Sequence, residues 1–165
     1  MTGRGVLLGV MLSLATAAPR AQPVVHGSAD AYAAPGLAMA WAVARGADEA
    51  STAIVVRVAA EPATFTWLAV RGVDPFSNQQ QAIARPQPIA GAIDVRIPRA
   101  RFADTPRTEW VFYASEGAAR AGSAGLVVYF LGVPDTAPEF TDAAKLDAYL
   151  AARLARARAT MPGKP

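Results

Sequence analysis

From residue 37 onward, bulky and small or polar positions alternate with a period of two. Leu37, Met39, Trp41 and Val43 alternate with Ala38, Ala40, Ala42 and Ala44, which gives one strand a bulky face and a small face. Residues 46–50 have the length and composition of a hairpin turn, and a second strand at 51–60 sets Ile54, Val56 and Val58 on one side and Arg57 on the other. A third strand at 64–71 is dense in β-formers and bounded by Glu61-Pro62 and Asp74-Pro75. In a fourth, Ile93, Val95 and Ile97 alternate with Asp94 and Arg96. Residues 108–114 and 125–133 make the fifth and sixth. Val24 and Val25 fit a short edge strand before them all.

Between these runs the alternation lapses. Residues 77–88 hold three consecutive glutamines and two prolines and are predicted to form the longest loop. Residues 98–106 read as another loop, and the small-residue segment 115–124 as a long hairpin connection.

Only the tail changes period. Residues 142–158 contain no proline, glycine or β-branched residue, and Leu146, Tyr149, Leu150 and Leu154 fall on one helical stripe. Thr141 is the expected N-cap, and Arg153, Arg156 and Arg158 sit where cations favour the macrodipole. Strands without intervening helices predict a mainly β fold. The expected form is an antiparallel β-sandwich, immunoglobulin-like in outline, of six or seven strands with a C-terminal amphipathic helix. An open barrel is the main alternative.

The N-terminus has a different character. Arg4 precedes an apolar run at 5–14, and Ala15 and Ala17 place small residues at −3 and −1 of a cleavage site, the layout of a signal peptide at 1–17. The apolar stretch 5–18 falls short of the roughly 20 residues that span a bilayer. The chain therefore divides into this cleaved leader, a loose segment at 18–35, a β-sandwich at 36–140, the helix at 141–159 packed on the same domain, and a tail at 160–165. A periplasmic or secreted location follows, with no transmembrane segment in the mature chain.

Composition adjusts that picture. Alanine supplies 39 of the 165 residues, so a hydrophobic content of 53% overstates the bulky core-formers. The net charge of +3 comes from 14 arginines and two lysines against 13 acidic residues, with the arginines spread among the acids. Nucleic-acid binders concentrate positive charge on one face, so no nucleic-acid partner is expected. With no cysteine, the chain has no disulfide, thiol catalysis or lipid-anchor cysteine.

Candidate chemistry is sparse. His26 is the sole histidine. A mature chain starting His26-Gly27 would resemble copper proteins that bind metal through their first residue, but it has no second histidine and no cysteine to complete the site. His26 reads as a surface residue of the leader, and no metal or cofactor is expected. No serine has a nucleophile-elbow setting, and phosphate-loop, dinucleotide and calcium-loop spacings are missing. The acids fall in turns and loops, where solvation explains them.

Two features retain content. Arg96, Arg99, Arg101 and Arg107 form the densest basic cluster outside the tail. Of these, Arg99, Arg101 and Arg107 are the candidate contacts for an anion or an acidic partner. The strand aromatics Trp41, Trp67, Trp110, Phe112, Tyr113, Tyr129 and Phe130 are read as core, with residues 110–113 placing rings on both faces. The expected function is an exported, non-enzymatic accessory or interaction protein whose partner is another exported protein. A carrier of a small apolar or anionic ligand is the alternative, and an enzyme using only Asp, Glu and Arg ranks third.

Overall fold

The computed structural model describes residues 24–26, 30–74, 76–77, 79–104, 107–131 and 137–161. The expected leader at 1–17 lies outside them. The strands are β1 (Val24–His26), β2 (Ala31–Ala34), β3 (Leu37–Ala44), β4 (Ala53–Ala60), β5 (Trp67–Val73), β6 (Gln80–Pro88), β7 (Ala92–Pro98), β8 (Arg107–Tyr113), β9 (Leu126–Leu131) and β10 (Glu139–Phe140). Among the described residues three helices accompany them: α1 (Arg99–Asp104), α2 (Glu116–Ala121) and α3 (Ala143–Ala159).

Two sheets result. The back sheet runs β1-β9-β8-β5-β6, and the front sheet runs β10-β3-β4-β7 with β2 also on β3. Most pairings are antiparallel; β1 on β9 and β10 on β3 are parallel. The centre of the front sheet is the β3–β4 hairpin, in register from Leu37↔Ala60 to Ala44↔Ala53. Its bulky face, with Leu37, Met39, Trp41, Ile54, Val56 and Val58, meets Leu68, Val70, Trp110, Phe112, Val128 and Phe130 of the back sheet in one core. This is the antiparallel β-sandwich with a C-terminal helix that the alternation predicts.

Rings fill the space between the sheets. Trp41 stands edge-on to Phe130 at 4.9 Å, and Trp110 lies 5.5 Å from the same ring. Trp110 Nε1–H donates to Thr108 Oγ1 at 3.1 Å. The Trp41 indole N–H is buried with no partner, which costs on the order of 1–3 kcal/mol within an otherwise well-filled core.

The alanine face of β3 has a separate role. Ala38, Ala40 and Ala42, with Val55 and Ala59 of β4, form a smooth floor on which Leu146, Leu150, Leu154 and Ala157 of α3 lie. Methyl groups let the helix approach the sheet closely enough to bury Leu150 completely. Arg57 fixes the other end of the contact. It holds Asp94 of β7 in a two-point bond at 2.7 and 2.8 Å, and donates to Asp147 of α3 at 2.8 Å.

Several segments read as irregular are regular. Residues 80–88 of the expected long loop are β6, which among the described residues pairs only with β5, through two register shifts. An edge strand tolerates prolines because their missing N–H can face away from the ladder. Residues 99–104 form α1, which buries Phe102, and residues 116–121 form α2. Ser115 caps α2, and Gly122 closes it at φ 69°, a left-handed conformation that suits glycine. Residues 31–34, placed in the loose segment, are β2, returned onto β3 by a two-residue turn. That turn needs Gly36 at φ 75°, where a Cβ would come within 2.5 Å of Thr64. His26 ends β1 opposite Leu131. The N-cap of α3 is Asp142 rather than Thr141, its carboxylate accepting the Lys145 N–H at 3.0 Å.

Candidate functional site

The three candidate arginines have separate surroundings. Arg99 opens α1 beside the front sheet, donating from Nη1 to Glu139 at 2.9 Å, with Glu49 at 3.5 Å from its Nε. Glu139 also accepts from Arg45 at 2.5 Å, and these bonds, Arg45's first, hold its carboxyl below the ordinary carboxylate range. Arg101 lies half-buried in α1. Arg107 starts β8 in the back sheet, where it donates to Glu109 at 3.3 Å and lies 4.6 Å from the centre of the Tyr129 ring. The described contacts give Arg99 and Arg107 no shared partner.

Arg107 instead belongs to a cluster on the outer face of the back sheet. Arg71, Glu109 and Tyr129 stand directly opposite one another on β5, β8 and β9. Arg71 donates to Gln80 at 3.1 Å and to the Tyr113 hydroxyl at 3.2 Å. Gln80 donates to one Glu109 carboxylate oxygen at 3.3 Å, and Arg107 donates to the other at 3.3 Å. The result is one hydrogen-bonded chain from Tyr113 to Arg107, closed at its end by the cation–π contact. Glu109 is 7% exposed although it points away from the sandwich core. At the other end of this face, Ala118 and Ala119 of α2 cover Trp67, Ala69, Val111 and Val127.

Each strand of this cluster except β6 is legible in the sequence. The cluster itself depends on strand order, which period-two alternation does not encode. The available signal is Arg71, Glu109 and Tyr129 occupying outward positions of strands otherwise rich in apolar residues.

A second polar feature is a groove between α3 and β2, about 200 Å³ in volume, lined by Asp30, Tyr32, Arg153, Arg156 and Thr160 among others. Arg153 pairs with Asp30, and its Nε is buried without a partner. Burial raises the Tyr32 hydroxyl above its ordinary pKa. Among the described residues no three His, Cys, Asp or Glu side chains gather as a metal site, and no helix is long and apolar enough to cross a membrane.

Neither a protein-family model, a curated protein nor a solved structure matches the chain.

Proposed function

We propose that this chain is an exported, non-enzymatic accessory protein that contacts another exported protein through the outer face of its back sheet. The observation that carries the reading is the row Arg71–Glu109–Tyr129 with Arg107, Gln80 and Tyr113 bonded around it. Arginine and tyrosine are the side chains that most often dominate association energies. Here their partners already hold them in place, so binding loses less side-chain freedom. The α3 stripe lies against its own sheet and the space between the sheets is filled with rings, which directs the reading to a surface rather than an enclosed ligand.

The test uses full-length protein made in its own host, with a photo-crosslinking residue at position 129 or, as control, at exposed Arg156. One identified exported partner should attach from position 129 alone. Purified, that partner should bind Arg71→Ala and Arg107→Ala at least about tenfold more weakly, the loss expected when a contact worth about 1.4 kcal/mol or more is removed. Equal attachment from both positions, or equal binding by both variants, would overturn the proposal. Export is tested by intact mass: the mature chain should begin near Ala18, and a membrane-bound form retaining Met1 would refute it.

The α3–β2 groove favours a second reading, a site for a small anion, because Arg153 and Arg156 line an open cavity. Titration with inorganic phosphate and with citrate tests it. Saturable binding abolished by Arg156→Ala would support the site, and no heat with either anion would remove it.

A further inference from the structure

We infer that β7 pairs with β7 of a second copy of this chain, joining two front sheets into one continuous sheet across a two-fold axis. β7 is the outer strand of its sheet. One side is bonded to β4, and among the described residues nothing pairs with the other. Ala92, Asp94, Arg96 and Pro98 are exposed along it.

The backbone phase follows from a single bond. Ala53 stands opposite Pro98, so one step further Thr52 stands opposite Arg99, and the Arg99 N–H donates to the Thr52 carbonyl at 2.9 Å. In an antiparallel ladder bonded and non-bonded positions alternate. Ile93, Val95 and Ile97 therefore direct their backbone groups to β4, while Ala92, Asp94 and Arg96 direct theirs to the open edge.

The sequence of this strand is symmetric in character about Val95: Ile93, Asp94, Val95, Arg96, Ile97. An antiparallel second copy with Val95 opposite Val95 places Asp94 opposite the second copy's Arg96, and Ile93 opposite its Ile97. Asp94 and Arg96 are also the positions whose backbone groups face outward, so the pairing that matches charges satisfies the ladder as well. Sliding the copies to the next registers that keep the bonding phase sets Asp94 against Asp94 or Arg96 against Arg96. Like charges directly opposite are unfavourable, so the charges select a single register.

The side-chain chemistry agrees. Arg57 is shared between two carboxylates, Asp94 and Asp147, which leaves the trio one negative charge in excess. Arg96 is exposed with no ion-pair partner among the described residues. In the dimer it completes an alternating row of Asp147, Arg57, Asp94 and the second copy's Arg96. A carboxylate has lone pairs enough for both guanidinium groups. Of the other edges, β6 carries Pro86 and Pro88 and two register shifts, features that blunt an edge, and β1, β2 and β10 are only 3, 4 and 2 residues long. That leaves β7 as the edge suited to pairing, and a self-complementary patch closes as a two-fold dimer.

The test is sedimentation of the full-length mature chain and three variants, with thermal melts as fold controls. Wild type should show a concentration-dependent dimer. Arg96→Glu and Asp94→Lys should each be at least about tenfold weaker, since every cross-pair becomes like-charged. Mixed in equal amounts, those two variants should recover the dimer, because both cross-pairs are then opposite in sign. Arg96→Pro removes the guanidinium and an outward N–H but no bond to β4; it should stay monomeric and melt like wild type at concentrations too low for the dimer. It also keeps the test valid if Asp94→Lys, beside Arg57, folds poorly. A wild type monomeric up to about 1 mM, or an Arg96→Glu dimer as strong as wild type, would overturn the inference.

Discussion

The outer face of the front sheet is floored by Ala38, Ala40 and Ala42 and lies under the Leu stripe of a 17-residue helix. The outer face of the back sheet carries Arg71, Glu109 and Tyr129, and among the described residues only the six-residue α2 covers part of it. On the first face every methyl has a fixed apolar partner, so a substitution there acts on folding. On the second, the side chains hold one another through hydrogen bonds 3.1 to 3.3 Å long, and a change should act on recognition before stability. On the proposed function, folding and contact fall on opposite sides of one core.

The largest expected effect is on the helix-covered face. Leu150 is fully buried, and Leu150→Ala should lower stability by about 2–5 kcal/mol, depending on how far the site relaxes. Thermal melts at two protein concentrations check that the loss is intrinsic to the monomer. An unchanged melting temperature would mean that α3 adds nothing to the fold.

Next comes a single substitution made on both faces. Ala40→Leu inserts bulk under α3, where both layers are fixed, and should cost about 1–3 kcal/mol. Ala69→Leu makes the same change under α2, which has no buried residue of its own and can shift outward. Its cost should be smaller, on the order of 0.5–1 kcal/mol. Denaturant unfolding of both proteins compares them directly. Equal losses would erase the distinction drawn between the faces.

Much of this difference was legible in residues 37–44. An alternation of bulky residues with alanine describes a strand buried on both sides, one side shallow, and the stripe at 146–154 supplies what that side needs. Strand β6 was not legible, because its glutamines and prolines reflect an edge that makes few demands on side chains. Nor was β10, whose two residues pair with β3 because the chain leads back to it, not because of their own propensity. The polar cluster eluded reading for another reason. Apart from the Arg107–Glu109 bond within β8, its members are separated by 9 to 42 positions in its side-chain hydrogen bonds and come together only through the order of β5, β6 and β8. Export, read from residues 1–17, rests on sequence alone.

The smallest effect expected is electrostatic and again belongs to the front sheet. Glu139 ties β10 to Arg45 and Arg99, and those bonds hold its carboxyl below the ordinary value of 4.5. A carboxylate whose pKa is depressed on folding stabilises the native state above its unfolded pKa, and that contribution disappears as pH falls through the folded value. Wild type should therefore melt slightly above Glu139→Gln at neutral pH, with the two melting temperatures converging below about pH 4.5. Solvent reaches all three side chains, so the gap should be small and should shrink further in high salt. The corresponding carboxylate of the back sheet, Glu109, has Arg107 and Gln80 as partners within its own face. Glu109→Gln should therefore weaken partner binding more than it shifts the melt. A Glu139 gap that widens on acidification would reverse the sign of this argument and show that the corner at Arg45 and Arg99 favours the neutral acid.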